Sequence, residues 1–198
     1  MDKYGVGQDP YCYTGTSVFK NLLEIQDDAT LQEAERELTM HAAAGIPFNP
    51  PPYDFAYFKA LHRQLFADIY PWAGEIRTID IAKGETRFCH WQRIEPEAHK
   101  LFGQLTQANW YTELDRHELV VAAAEFYGEL NVLHPFRDGN GRAQRLLFEH
   151  LIINCGYEIT WTRLNREEWV QANIAAYHCD YTAMIKVFMQ CIGEPLTE

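Results

Sequence analysis

The sequence predicts a mainly α-helical protein that carries one small β-hairpin. Several long stretches repeat apolar residues at the spacing of a buried helix face, whereas residues 76–89 contain an alternating stretch of apolar and polar residues. The chain has 198 residues, 47% of them hydrophobic, which suits one domain with a sizeable core. We therefore expect a compact helical bundle in which residues 1–198 form a single domain.

The first helix is predicted over residues 28–44. Thr30 and Glu33 have the spacing of a capping box, and Gly45 follows the last turn. The proline-rich stretch IPFNPPP that comes next is a rigid loop, because it cannot be helical. A solvated face of this helix is expected at Glu33, Glu35 and Glu37.

The second helix is predicted to begin at Asp54, whose side chain can cap it. The PWAG sequence at residues 71–74 ends this helix. His62 lies within it, and we expect this histidine to be either exposed or satisfied by hydrogen bonds. The apolar side of the helix is formed by Phe58, Leu61, Leu65 and Ile69.

The hydrophobic period then changes from helical to alternating. Ile79 and Ile81 alternate with polar residues, and Lys83 and Gly84 supply a turn. We expect a β-hairpin here, and residues 76–89 are called the flap below.

The remainder of the chain returns to helical periodicity. Helices are predicted over residues 94–108, 115–132, 142–155, 165–177 and 181–192. The third of these is apolar on most sides, so we expect it to be the central, buried helix.

Charge and composition exclude several classes of function. The net charge of −11 gives an acidic surface that repels phosphate backbones, so nucleic-acid binding is not expected. No apolar run approaches the length of a membrane span, and the amino terminus lacks the apolar stretch of a signal peptide. The five cysteines are an odd number without CxxC spacing, so we expect reduced thiols and a cytoplasmic protein.

The densest chemistry lies in HPFRDGNGRAQR, which is called the 134–145 motif below. Pro135 ends the preceding helix, because the residue before a proline is forced out of the helical conformation. The glycines in residues 139–141 allow the backbone to turn tightly and approach a ligand. A new helix begins near Arg142, and its first amide groups, which lack partners within the helix, form a site for an anion.

The charged side chains of this motif suit a polyphosphate. Arg142 and Arg145 are three residues apart, so they share one face of the first turn, and each can bind two phosphate oxygens. Asp138 would repel those phosphates unless a cation lay between them, and Mg²⁺ prefers one carboxylate together with phosphate oxygens and water. His134 can take a proton from a hydroxyl near neutral pH.

Together these residues predict transfer of a phosphorus-containing group from a nucleotide to a hydroxyl. Such a reaction needs positioning, charge neutralisation and one base. The structural alternative is a helix–turn–helix corner with a satisfied histidine and surface arginines. All the elements occur together in this order, which favours the enzyme.

The 134–145 motif matches, without a gap or substitution, the HPFx(D/E)GNGRxxR signature of Fic-domain proteins. The segments LFADIYPWAGEIRTIDIAKGETRF, DPYCYTGTSVFKN and CDYTAMIKVF also resemble that family, so the resemblance covers most of the chain. It implies the Fic fold, a compact helical bundle with the flap over the active site. It also implies a protein adenylyltransferase, which moves AMP from ATP to a Ser, Thr or Tyr hydroxyl of a target protein.

The resemblance also implies roles for individual residues of the motif. His134 would be the base, and Asp138 would hold Mg²⁺. Arg142 would bind the β- and γ-phosphate end of ATP, and Arg145 would bind the γ-phosphate. The α- and β-phosphates would be cradled by Gly139, Asn140 and Gly141.

Other implied roles lie outside the motif. The flap would hold a segment of the target protein by strand addition. Phe136 would be a packing anchor for the loop, and Tyr177 would either line the adenine site or belong to the core. The docking residues of the flap would be Ile79, Asp80, Ile81, Lys83 and Gly84.

One absence bears on regulation. Many Fic proteins carry an inhibitory helix of the form (S/T)xxxE(G/N), whose glutamate pairs with the last arginine of the motif. No glutamate in this chain is followed by Gly or Asn. The chain therefore resembles the bacterial FicT toxins, and we expect a small antitoxin protein that supplies a glutamate to Arg145, with residues 16–23 as a helical docking face. FicT-type relatives modify subunits of DNA gyrase and topoisomerase IV, which makes these the leading targets.

Two other functions stay open. The same site could act as a de-AMPylating hydrolase, although that reaction in the family needs the inhibitory glutamate that this chain lacks. The chain could also be a binding module that responds to a nucleotide without catalysis. His134 argues against this last reading, because binding alone requires no base.

Overall fold

The computed structural model describes residues 9–197. Most of the amino terminus that was examined for a signal peptide therefore lies outside the described residues. It confirms a mainly helical protein with small antiparallel strand pairs. The helices of the described part are α1 (Asp28–Gly45), α2 (Phe55–Phe66), α3 (Ile94–Gln107), α4 (Arg116–Leu133), α5 (Asn140–Asn154), α6 (Arg166–Tyr177) and α7 (Thr182–Cys191). The strands are β1 (Ala82–Lys83), β2 (Thr86–Arg87), β3 (Tyr157–Ile159) and β4 (Ile192–Pro195).

The helix α5 is buried on most of its circumference, as its apolar pattern predicts. Phe148 at its centre contacts Phe126 and Tyr127 of α4 and Phe188 of α7, with ring centroids 4.9–5.6 Å apart. Burying one such aromatic side chain stabilises the fold by about 2–3 kcal/mol. This aromatic cluster fixes α5 against its neighbours, so the 134–145 motif at the amino end of α5 is attached to the core.

The cap of α1 differs from the prediction. The side chain of Asp27 accepts a hydrogen bond of 2.8 Å from the amide of Thr30, so Asp27 is the cap and Thr30 lies inside the first turn. Glu33 pairs instead with Arg36 one turn later. The predicted capping box at Thr30 and Glu33 is therefore wrong, because the helix begins before Thr30. At α2, by contrast, the predicted cap at Asp54 is confirmed.

The flap contains a β-hairpin, but its strands are much shorter than the alternating pattern predicts. Ala82 pairs with Arg87, and Lys83 pairs with Thr86, in a two-residue antiparallel ladder. Ile79 lies outside both strands. Arg77, before β1, bonds the backbone of the 134–145 motif instead, as described below.

Two further features were not predicted correctly. The pairing of β3 with β4 joins residues more than thirty positions apart, and no local sequence pattern reports such a contact. Residues 16–23 were expected to be helical, but they form turns and part of an isolated bridge between Cys12 and Phe19. All five cysteines are free thiols. No helix among residues 9–197 has the length and apolar character needed to cross a bilayer.

Candidate active site

His134 stands where α4 ends and the 134–145 motif begins. Pro135 prevents the helix from continuing, and His134 adopts a left-handed conformation with φ 43° and ψ 62°. Its Nδ1 lies 3.0 Å from the carbonyl oxygen of Asn131. Because a carbonyl oxygen can only accept, Nδ1 carries the proton and Nε2 presents its lone pair. The local fold therefore sets the tautomer that a general base requires.

The surroundings of His134 keep its imidazole neutral. Phe88, at the end of the flap, stacks on the ring with centroids 3.8 Å apart and planes at 14°. Burial lowers the pKa of His134 to about 4, although the Asn131 carbonyl and the charge of Asp138 oppose that shift. A neutral imidazole at pH 7 is ready to accept a proton.

Asn140 closes the motif internally. Its Oδ1 accepts a hydrogen bond from the Phe136 amide, and its Nδ2 donates to the Phe136 carbonyl, both at 2.8 Å. The Asn140 side chain is buried, so it serves the loop, and a phosphate would meet only the backbone of this residue. Phe136 itself is fully buried, which confirms its predicted packing role.

His62 of α2 holds the same loop from below. Its Nδ1 accepts from the Gly74 amide at 2.9 Å, so Nε2 carries the proton and donates to the Asp138 carbonyl at 2.9 Å. Its ring stacks on Phe136 with centroids 3.8 Å apart. Burial lowers the pKa of His62 to about 4, so the ring is neutral. This histidine is satisfied, as expected, and it also links α2 to the motif.

The backbone turns into α5 at Gly139, which has φ 76°. A Cβ at this position would lie 2.4 Å from the ring of Phe66, so both the conformation and the space require glycine. The helix starts at Asn140, two residues earlier than Arg142 where it was predicted. The amides of Arg142 and Ala143 donate to the Gly139 carbonyl, which leaves the amides of Asn140 and Gly141 at the start of α5 for an anion.

Asp138 lies immediately before this turn. Its Oδ1 accepts a hydrogen bond of 2.6 Å from the Gly139 amide, which orients the carboxylate beside the amino end of α5. No group of three or more His, Cys, Asp or Glu side chains in the described part of the chain could hold a metal ion by itself. A single carboxylate fits Mg²⁺ only where phosphate oxygens and water supply the other ligands, which matches a nucleotide site.

Arg142 and Arg145 line one cavity of about 570 Å³ between α1 and α5. Arg142 lies flat on the ring of Phe66, with its guanidinium carbon 4.6 Å from the ring centroid. It also forms an ion pair with Glu35 of α1. The prediction that Glu35 lies on a solvated face was therefore wrong, whereas Glu33 and Glu37 are exposed. The two glutamates differ from Glu35 because they point away from α5.

Arg77 is a structural residue of the site that the sequence did not reveal. Its side chain is fully buried and donates from Nε to the His134 carbonyl at 2.8 Å. Its other nitrogens donate to the carbonyls of Ile79 and Cys89, at either side of the hairpin. Burial lowers the pKa of Arg77 to about 10, so it remains charged at pH 7. One guanidinium thus joins the base of the flap to His134.

Only part of the predicted docking surface of the flap is accessible. Ile81 is buried. Asp80 is exposed, although its carboxylate accepts from the Trp91 amide at 2.8 Å, and both residues stabilise the base of the hairpin. Ile79 is half-buried. Lys83 and Gly84 at the tip are exposed.

Tyr177 is neither a core residue nor isolated from the flap. It is half-buried at the end of α6, and its hydroxyl donates to the Arg87 carbonyl of β2 at 2.9 Å. This hydrogen bond supports the back of the hairpin.

The geometry described above agrees with a known family. A family model described as Fic/DOC matches residues 52–152, which include α2, the flap and the 134–145 motif. The chain belongs to the Fic/DOC family. Over 193 residues it is 39% identical to the "Probable protein adenylyltransferase Fic" of Escherichia coli (strain K12), and the alignment covers 98% of this chain and 96% of that protein.

Solved structures give the same result. The BepC protein of Bartonella tribocorum, a VirB-translocated effector with bound AMPPNP, matches with a TM-score of 0.87 and 29% identity, over 94% of this chain and 97% of that one. The N-terminal Fic domain of a putative cell filamentation protein from Bartonella quintana, with bound ADP, matches with a TM-score of 0.87 and 31% identity, over 94% and 95%. These matches confirm the Fic fold and place the chain in the protein adenylyltransferase class of enzymes.

Proposed function

We propose that this chain transfers AMP from ATP to a hydroxyl group of a target protein. The observation that carries the proposal is the neutral His134, whose Nε2 is left as a proton acceptor by the Nδ1 contact with Asn131. The amino end of α5 follows within the same loop, and Arg142 and Arg145 line one cavity beside it. The AMPPNP and ADP bound in two structural relatives support an adenine nucleotide as the substrate.

In the proposed reaction, Nε2 of His134 takes the proton of a Ser, Thr or Tyr hydroxyl. The hydroxyl oxygen forms a bond to the α-phosphorus of ATP, and the bond from that phosphorus to the bridging oxygen of the β-phosphate breaks. Pyrophosphate leaves, and AMP stays on the target. The backbone amides of Asn140 and Gly141 bind the α- and β-phosphates, while Arg142 and Arg145 bind the far end of the triphosphate.

Asp138 would hold Mg²⁺ in this site. When bound with ATP, the ion neutralises phosphate charge that the carboxylate would otherwise repel. The hydrogen bond from the Gly139 amide keeps the Asp138 carboxylate oriented whether or not a nucleotide is present.

The flap would present the target segment to His134. Its exposed tip at Lys83 and Gly84 offers backbone groups to an added strand, while Asp80 and Ile81 hold its base. Main-chain pairing of this kind selects an extended segment and depends little on its side chains.

The test compares the two ends of ATP as sources of label. The purified chain is incubated with Mg²⁺ and a bacterial lysate, once with ATP labelled at the α-phosphate and once with ATP labelled at the γ-phosphate. Label transferred from the α-phosphate alone supports AMP transfer, and label from the γ-phosphate alone indicates phosphoryl transfer and contradicts the proposal. Release of AMP from a pre-labelled protein, without new labelling, would indicate a hydrolase.

We further propose that the enzyme is a toxin that an antitoxin protein inhibits in trans. No glutamate in the chain is followed by Gly or Asn, so the inhibitory motif of the family is not encoded here. The cavity beside Arg142 and Arg145 can receive a carboxylate from another protein. Leu22 and Leu23, within the expected docking face at residues 16–23, are exposed apolar side chains that a partner would cover.

Expression of the chain alone and together with candidate small proteins tests this role. We expect the chain alone to inhibit bacterial growth, and a partner that copurifies with it to restore growth and stop labelling. If the chain alone inhibits growth and no candidate partner changes that effect, inhibition in trans is contradicted.

For the target we propose a subunit of DNA gyrase or topoisomerase IV, which would place the enzyme in the cytoplasm. The resemblance to FicT toxins is the support for this proposal. Purified subunits are incubated separately with the enzyme and ATP labelled at the α-phosphate. Labelling of neither subunit, while other proteins in the lysate are labelled, contradicts this target but leaves AMP transfer intact.

A further inference from the structure

We propose that Glu35 is a positioning residue that holds the guanidinium of Arg142 in place for the nucleotide. The proposal rests on the AMP transfer proposed above, because it assigns a purpose to an ion pair beside the phosphate site. Glu35 and Arg142 are 107 positions apart in sequence, and they meet where α1 packs beside the amino end of α5.

The carboxylate of Glu35 is held on both sides. One oxygen accepts from Nη2 of Arg142, and the other accepts from the hydroxyl of Tyr70. Tyr70 is itself buried and stacks on Trp72 with ring centroids 4.3 Å apart. The side chain of Glu35 is only 16% exposed, so its position is set by the core and not by solvent.

The guanidinium of Arg142 is fixed in three ways. Glu35 accepts from Nη2, Thr39 accepts from Nη1 at 3.4 Å, and the ring of Phe66 lies under the plane of the group. A guanidinium carries five N–H donors, so within residues 9–197 the two contacts with α1 leave donors for phosphate oxygens. The pair therefore orients Arg142 without using up its capacity to bind phosphate.

A competing role for Glu35 would be to occupy Arg142 until a nucleotide displaces it. Displacement would break the hydrogen bond with Tyr70 and leave a buried hydroxyl without its acceptor, which is unfavourable. The contacts on both oxygens of the carboxylate thus favour a fixed support over a movable competitor.

Substitutions at Glu35 separate these roles. We expect Glu35→Ala to lower kcat for AMP transfer about tenfold, with a smaller change in the KM for ATP, because a loosely held arginine no longer fixes the leaving pyrophosphate in line with the attacking hydroxyl. Glu35→Gln keeps an acceptor for Arg142, so its kcat should stay within about threefold of the wild type. Tyr70→Phe removes only the hydrogen bond to the second oxygen of Glu35, so its kcat should lie between those of Glu35→Ala and Glu35→Gln.

Arg142→Ala supplies the decisive background. If Glu35 acts through Arg142, adding Glu35→Ala to Arg142→Ala should change kcat by less than about twofold. Glu37→Ala is the matched control, because Glu37 is on the same helix but is 56% exposed and pairs with Arg36. Equal or higher activity of Glu35→Ala overturns the proposal, and so does an undiminished loss in the Arg142→Ala background.

A readout that needs no catalysis distinguishes this proposal from the proposed function. The Nε–Hε group of Arg142 is followed by ¹⁵N relaxation in the free protein and assigned with Arg142→Lys. We expect a rigid signal in the wild type and in Glu35→Gln, and increased picosecond–nanosecond motion in Glu35→Ala. If the wild type transfers no AMP but this pattern holds, the proposed function fails and the positioning of Arg142 stands. Unchanged motion in Glu35→Ala overturns the positioning itself.

Discussion

The 134–145 motif and the flap meet at His134, yet they are built in opposite ways. Buried polar side chains hold the motif: Asn140 bonds the Phe136 backbone through two atoms, and His62 bonds the Asp138 carbonyl and the Gly74 amide. The tip of the flap has two-residue strands and exposed side chains. The backbone of the 134–145 motif, where the proposed chemistry needs fixed atoms, is thus supported by side chains. The tip of the flap, which is proposed to meet a target protein, keeps its backbone accessible.

The largest effect is expected at the contact between the two regions. His134→Ala should lower AMP transfer by about 10²- to 10⁴-fold, because it removes the general base. The melting temperature should change by only a few degrees, since His134 is not fully buried. Transfer of label from ATP gives the first quantity and thermal unfolding gives the second.

His117→Ala is the control for this prediction, because His117 is exposed in the first turn of the same helix α4. It should leave transfer unchanged. Labelling of all targets at the wild-type rate by His134→Ala would show that His134 is not the base.

The second largest effect concerns Gly139 in the motif. Gly139→Ala should destabilise the protein by about 3 kcal/mol. The backbone at this position is left-handed, which disfavours a side chain, and the added methyl group would collide with Phe66. Gly141→Ala is the matched variant, since its Cβ would meet only Arg145 at 3.6 Å. It should fold normally but bind ATP more weakly, because the added methyl group obstructs the phosphates. Urea unfolding and nucleotide titration separate the two effects, and equal stability of the two variants would contradict the packing described for the motif.

A smaller effect is expected from the two neutral histidines that face the motif. Burial lowers the pKa of both His62 and His134 to about 4, so the unfolded chain binds these protons first as the pH falls. Their contribution to stability is complete above about pH 6.5 and is lost between pH 6.5 and 4, at about 1 kcal/mol per pH unit for each group.

His62→Gln tests this pH dependence, because glutamine does not titrate. The difference in unfolding free energy between wild type and variant should shrink as the pH falls from 7 to 4.5. A constant difference across this range would mean that His62 has the same pKa in the folded and unfolded states, which would contradict the lowered pKa.

The smallest effect is expected in the flap. Gly84 has φ 60°, similar to Gly139, but nothing within 4 Å would touch an added Cβ. Gly84→Ala should therefore destabilise the protein by only about 1 kcal/mol, from the backbone conformation alone, and Gly84→Asn by less. If the alanine variant at Gly84 lost as much unfolding free energy as the one at Gly139, the flap tip would be packed. The difference described between the two regions would then be contradicted.

Local sequence signals were sufficient for the helices and for the motif. Apolar periodicity located α4 and α5, and the cap at Asp54 is used as predicted. These signals depend on neighbours within one or two turns, so a single sequence contains them.

The supports of the site were not predictable because they join distant positions. Arg77 looks like one polar residue of an alternating stretch, although it bonds the carbonyl of His134. Glu35 looks like its exposed neighbours Glu33 and Glu37, although it faces Arg142. The flap strands were overestimated for the same reason, since the Arg77 amide bonds the Pro135 carbonyl and not another strand of the hairpin. Only the packing of helices decides these contacts.

The shared anchor at Arg77 has a consequence for how a target would be chosen. The same side chain bonds the carbonyl of His134 and both margins of the hairpin, so the distance from the flap edge to the imidazole is set by one residue. A strand advances about 3.3 Å per residue and alternates its side chains between two faces. A segment added to this edge would bring a hydroxyl to the imidazole at one register only. The position of the hydroxyl along the extended segment would therefore decide whether it is modified, before any other side chain matters.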